Sequence, residues 1–189
     1  MKKIDENLLR KISEAGTNNA SKALSAMTGR SVEIKTISTD FVPIEEIPQF
    51  YGPEEVVTAV YLPITGDLKG CSLLVFDKDS AVVVADLLMQ KAGVTETSIE
   101  LYGSAMKEIG NIMSGSFLNA TADMLDVKLV EGIPTLTTNM MGAIMNQIIS
   151  EFAQTTKQAL AIEIGFTIKD VEITAYLFKL LETGEGGLV

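Results

Sequence analysis

Two long stretches of the chain carry an apolar stripe at helical spacing, and shorter stretches between and after them alternate or run apolar in the manner of strands. Over residues 5–29 the stripe includes Leu8, Ile12, Ala20 and Leu24, and Gly29 stands where a helix would end. Ser31 to Phe41 alternates as Val32, Ile34 and Ile37 between polar neighbours and predicts a strand. Pro43 to Pro53, with its prolines and acidic pairs, predicts an irregular connection. Val56 to Ile64 and Cys71 to Phe76 are β-rich, and Thr65 to Gly70 has turn chemistry, so these runs predict a hairpin. Ser80 to Gln90 predicts a short helix capped by Asp79 or Ser80. Gly93 to Ser98 leads into the second long helix, residues 101–125. Val127 to Val130 starts a strand that Pro134 interrupts, and Thr138 to Phe152 predicts a Met-rich helix. Lys157 to Ile168 and Val171 to Phe178 form a last hairpin, turned at Lys169-Asp170, before a frayed tail from Thr183.

The two halves of this pattern resemble each other. Lys11-Ile-Ser-Glu14 lies over Glu108-Ile-Gly-Asn111 at an offset of 97 residues. Each long helix is followed by a strand beginning Val32-Glu33-Ile34 or Val127-Lys128-Leu129, and Leu68 to Leu73 corresponds to Ile168 to Ile173. The expectation is a single domain over residues 1–189, built of two pseudo-symmetric repeats at about 5–92 and 99–180. Two hairpins without βαβ alternation predict the α+β class: an internally duplicated, antiparallel β-sheet with the two long helices packed on it.

Rotation by about 100° per residue sorts the faces of the second long helix. With Ser104 at zero, Glu108, Asn111 and Gly115 fall within about 40° of it. Met106, Ile109, Ile112, Met113, Phe117, Ala120 and Met124 gather on the other side and predict the buried face. A helix that only packs on a sheet has no need of Ser, Glu, Asn and Gly in one line. That line is the candidate functional face.

Composition narrows the chemistry available to it. Net charge is −10 at pH 7, which repels phosphate backbones and anionic membrane surfaces. The 189 residues include no histidine and one cysteine, Cys71, so His-dependent catalysis, a His or Cys zinc site and a disulfide framework are excluded. Cys71 and the methionines at 140–145 read as core residues. Met1-Lys2-Lys3 is followed at once by Asp5 and Glu6, without the apolar run of a signal peptide, and no run suits a membrane span. The expected compartment is the cytoplasm.

Ser104, Glu108 and Asn111 are followed, after 22 residues, by Pro134. This constellation, with Glu108-Ile-Gly-Asn-Ile-Met-Ser-Gly115 around it and the duplication behind it, resembles the signature of the CheC/CheX/FliY family of chemotaxis phosphatases. The length and a full first repeat favour the CheC type over the shorter CheX, and extensions expected of a flagellar FliY are missing.

The resemblance implies hydrolysis of the phosphoaspartate on the response regulator CheY, with one active centre in the second repeat. It implies that Asn111, whose amide can both donate to and accept from a water, orients the attacking water. It implies that Glu108 docks on a lysine of the regulator, since a carboxylate is repelled by the phosphoryl group itself. Ser104 and Pro134 frame the motif. Mg2+ would arrive with the regulator, as the chain has no metal-binding set of its own. At the positions matching Glu108 and Asn111 the first helix holds Lys11 and Glu14, and Ile37 stands where a proline is expected. That first site is expected to be degenerate. Some relatives of this kind bind the receptor deamidase CheD, a further possible partner. The competing reading is a non-enzymatic adaptor for the regulator or for CheD.

Overall fold

The Asp5 side chain accepts a hydrogen bond from the Leu8 amide at 2.8 Å, and Gly29 adopts φ 61°, so the first helix, α1 (Glu6–Thr28), is capped at both ends. The computed structural model describes residues 5–89, 99–152, 155–168 and 171–182. After α1 come strand β1 (Val32–Pro43) and a 3-10 helix (Ile44–Phe50). The first hairpin, β2 (Val56–Gly66) and β3 (Gly70–Asp77), leads into α2 (Lys78–Met89). The second long helix, α3 (Ile99–Leu125), is followed by β4 (Leu129–Glu131), β5 (Thr135–Met140) and α4 (Met141–Phe152). The last hairpin pairs β6 (Gln158–Ile168) with β7 (Val171–Leu181).

All strand neighbours are antiparallel, in the order β1-β6-β7-β3-β2-β4, with β5 also on β2. The α+β class with an antiparallel sheet is therefore the one that the hairpins predict. The pairing also interlocks the two ends of the chain. β1, which follows α1, pairs with β6 of the last hairpin, while β4 and β5, which follow α3, pair with β2 of the first.

The sheet is buried on both faces. On one side Leu74 and Phe76 of β3 pack with Leu24, Met106, Met113 and Phe117 under α1, α2 and α3. On the other, Cys71, Leu73 and Val75 pack with Ile44, Ile47, Met141 and Met145 under the 3-10 helix and α4. Two glycines set the height of α3. A Cβ on Gly110 would stand 2.4 Å from Val60 Cγ1 of β2, and one on Gly16 of α1 would stand 2.5 Å from the Phe117 ring. Helix α3 is thus pressed onto both the sheet and α1, which leaves its remaining side outward. Among the described residues no helix is long and apolar enough to cross a membrane.

Some elements differ from the sequence-based expectation. The connection after β1 is not irregular, because Ile44 and Ile47 are spaced to bury one side of a 3-10 helix that contains Pro48. The cap of α2 is Asp77, whose Oδ1 accepts from the Asp79 and Ser80 amides at 3.1 and 2.9 Å. Thr138 to Met140 is strand, not helix, because Thr138 lies opposite Thr58 and extends the pairing of β5 with β2. The expected lead-in at Gly93 to Ser98, the turn at Lys169-Asp170 and the tail from Thr183 lie outside the described residues.

Candidate functional site

Ser104 and Glu108 are exposed on α3, and Asn111 and Gly115 are half-buried along the same line. Neither Glu108 nor Asn111 has a side-chain hydrogen bond or ion pair to any described residue, so both polar groups are uncommitted there. The buried arc of the helix is wider than its apolar residues alone suggest. Gly110, Ser114, Leu118 and Thr121 are buried beside Met106, Ile109, Met113 and Phe117, whereas Ile112 and Met124 are only half-buried. The polar line therefore runs along one border of the buried arc. β4 and β5 lie along that border: a Cβ on Gly103 would sit 3.8 Å from Leu136 of β5, and one on Gly115 would sit 3.2 Å from Glu131 Oε2 of β4.

Pro134 sits in the break between β4 and β5, and Pro63 of β2 explains why the break is there. The Gly132 amide donates to the Pro63 carbonyl at 2.8 Å, so this side of Pro63 faces the β4–β5 edge. A strand residue directs its N–H and C=O to the same side, and proline has no N–H to offer. The edge must leave the ladder opposite it. Gly132 also lies so close that a Cβ there would stand 2.7 Å from Pro63 Cγ. The connection that carries Pro134 is thereby pinned at its start, to α3 through Glu131 and to β2 through Gly132.

Sequence reasoning missed the groups beneath the line. Ser114, one turn after Asn111 and fully buried, donates its hydroxyl hydrogen bond to Glu131 Oε1. From below, the buried Lys179 Nζ of β7 donates to Ser72 Oγ at 2.8 Å and approaches the Ser114 carbonyl at 3.3 Å and its Oγ at 3.5 Å. One serine hydroxyl therefore stands between a cation and a carboxylate. The sequence signal that could have found them was Lys179 itself, a charge inside the apolar run Leu177-Phe-Lys-Leu-Leu181.

Burial pushes the Lys179 ammonium down to about 8, against the opposing pull of Glu131 and Cys71. Burial raises the Glu131 carboxyl above its usual range, against the Ser114 hydrogen bond and the charge of Lys179. Burial likewise holds the Cys71 thiol up at about 12, so it stays protonated at neutral pH. The lysine has a consequence for stability. Between pH 8 and its ordinary value of 10.5 the unfolded chain binds the Lys179 proton while the folded chain does not, so stability rises with pH across that window. The rise attributable to this group is on the order of 3 kcal/mol. Urea unfolding of wild type and Lys179→Met from pH 7.5 to 10.5 should show the two stabilities diverging above pH 8, with the wild type gaining; parallel curves would refute the assignment.

The matching part of α1 is arranged differently. Lys11 and Glu14 are both exposed, and Glu14 is held by Arg10 at 2.8 Å. Ile37, 56% exposed, stands on β1 beside an open depression that Arg10, Ser13 and Glu14 also line. At the sequence position matched to Asn111, α1 thus carries an ion-paired carboxylate.

Residues 103–129 match the CheC-like family. The CheY-P phosphatase CheC of Bacillus subtilis (strain 168) is 24% identical to this chain over 183 residues, which are 92% of the chain and 86% of that protein. Among solved structures, Thermotoga maritima FliY superposes with a TM-score of 0.73 at 22% identity, over 93% of this chain and 90% of that one. The FliM middle domain from Vibro alginolyticus gives 0.66 at 11% identity, over 90% and 92%. A chain of the CheX–CheY complex with BeF3 and Mg2+ from Borrelia burgdorferi gives 0.53 at 18% identity, over 90% and 97%. The chain thus resembles the CheC-type chemotaxis phosphatases in sequence and has the fold of FliY, FliM and CheX.

Proposed function

We propose that the chain is a phosphatase that hydrolyses the aspartyl phosphate of a CheY-type response regulator, with one active centre on α3. The observation that carries this reading is the pairing of an exposed Glu108 with a half-buried, unbonded Asn111 on the outward line of α3. Two relatives support it: a protein named CheY-P phosphatase CheC, and a CheX that was solved with CheY, BeF3 and Mg2+.

Hydrolysis of an acyl phosphate demands chiefly that a water be held in line with the phosphorus and that charge be balanced. The Asn111 amide meets the first demand, since its carbonyl accepts from the water while its NH2 donates to it or to a phosphoryl oxygen. Glu108 lies about one turn before Asn111 and is free to pair with a basic side chain of the regulator, which fixes the approach of the helix. Gly115, next along the line, keeps that surface low. Mg2+ in this reading belongs to the regulator. Among the described residues no cluster of three acidic or thiol groups could hold a metal, and a lone Glu108 with a neutral amide would not retain one. The equivalent of the centre on α1 is taken as inert, because Glu14 would repel the phosphoryl group and Lys11 would repel the regulator's basic residue. The two helix–strand–hairpin halves are read as repeats of one domain that have diverged in this way.

The competing reading is an adaptor that binds the regulator, or the deamidase CheD, without turnover; the fold, shared with the FliM middle domain, does not by itself separate the two. Decay of phosphorylated CheY with and without the protein separates the two. Acceleration at substoichiometric protein is expected. Binding of phosphorylated CheY with an unchanged decay rate would overturn the enzyme in favour of the adaptor. In the same assay Glu108→Lys should raise the regulator concentration for half-maximal rate about tenfold, with little change at saturation, as befits a docking charge.

A further inference from the structure

Glu131 closes β4, opposite Ile64 of β2, and the three residues after it lead through Gly132 to Pro134. Its two carboxylate oxygens reach different parts of α3. Oε1 accepts from the Ser114 hydroxyl, and Oε2 lies 3.2 Å from where a Gly115 Cβ would be. Ser114 and Gly115 follow Asn111 by three and four residues, so they are its neighbours on the helix surface one turn on. The carboxylate is therefore laid against α3 directly beside the candidate reacting amide, and at the root of the connection that bears Pro134.

Such a carboxylate would by itself oppose a phosphoryl group nearby. Lys179 offsets it from beneath: its ammonium reaches the same Ser114 hydroxyl and also Ser72 of β3. A continuous polar path thus runs from the central strands β7 and β3, through Ser114 of α3, to the edge strand β4. Apolar packing of Ile64 and Leu118 could join these elements without any charge. What the polar path adds is direction, because hydrogen bonds constrain rotation and register where apolar contacts do not.

Taking Asn111 as the reacting amide, as proposed above, we infer that Glu131 is a positioning residue of the same centre: clamped by Ser114 over Lys179, it sets the Pro134 connection and the turn of α3 that carries Asn111 in one fixed relation. It touches neither the water nor the phosphoryl group. A group of this kind governs the rate at saturation more than the affinity, since docking through Glu108 lies about two turns back along the helix from Ser114 and Gly115.

Saturation kinetics of phosphorylated-CheY decay test this with Glu131→Ala and Glu131→Gln beside the wild type, at a temperature where each variant is fully folded by circular dichroism. Glu131→Ala should lower kcat about tenfold to a hundredfold and change KM less than twofold. Glu131→Gln, which keeps an oxygen to accept from Ser114, should recover most of the loss. In the free protein, the Asn111 side-chain amide and Ile133 methyl NMR signals should move in Glu131→Ala and return towards their wild-type positions in Glu131→Gln. A wild-type kcat in folded Glu131→Ala, or unmoved Asn111 signals, would overturn the inference while leaving the phosphatase reading intact. A wild type that gives no acceleration would overturn that reading, and the catalytic role of Glu131 with it.

Discussion

Alanine at position 111 should leave phosphorylated CheY decaying at nearly its unassisted rate. Asn111 is half-buried and has no partner among the described residues, so its removal leaves no buried group unsatisfied and the fold should hold. The whole effect then falls on the chemistry. Loss of one preorganised hydrogen-bonding group at a reacting centre is worth about 3 kcal/mol, a fall of about a hundredfold or more in kcat. Asn111→Asp has the same shape and should fare no better, since it places a carboxylate where the phosphoryl oxygens must approach. In the proposed reading, that substitution puts on α3 the kind of group that Glu14 supplies at the matched sequence position of α1. The check is kcat from decay of phosphorylated CheY, with thermal unfolding run in parallel. Turnover by Asn111→Ala at half the wild-type rate or better would remove the amide from the mechanism.

Phe117→Ala should produce the largest loss of stability, about 3–5 kcal/mol. The ring is fully buried and occupies the notch left by Gly16, where α1 and α3 approach. Alanine would open a cavity at a point where α1 offers only a glycine to fill it. Since folded proteins are stable by only about 5–15 kcal/mol, a large part of the total is at stake. The same contact supplies a control. A Cβ on Gly16 would sit 2.5 Å from the Phe117 ring, so Gly16→Ala should destabilise the wild type yet restore part of the stability of Phe117→Ala. Urea midpoints of the four chains measure the coupling. Additive effects would mean that the helices separate there and do not share a packed seam.

The outward line of α3 was legible before any coordinates, because it needs only the 3.6-residue period of a helix and the place of polar residues on it. Ser104, Glu108, Asn111 and Gly115 stand where that period puts them, at the border of the buried arc. The hairpins were legible for the same reason, as β-rich runs joined by turn residues. Errors fell where local pattern competes with tertiary pairing. Thr138 to Met140 extends β5 because β2 offers it a partner, and nothing within those residues reveals that partner. Ile44 and Ile47 form one side of a 3-10 helix because an apolar sheet face lies above them.

The sequence by itself determined the class of fold, the two long helices, and which of them keeps an amide and a carboxylate on its polar line. Period, turn chemistry and residue identity are local properties, and they suffice for that. Only the tertiary structure decided what lies beneath the line. Ser72, Ser114, Glu131 and Lys179 come from four separate elements, β3, α3, β4 and β7. They meet because the hairpins cross between the two ends of the chain. Hydrogen bonds and the cost of burying a charge act through distances of a few ångströms, and no spacing along the chain encodes a meeting of residues 107 positions apart such as Ser72 and Lys179.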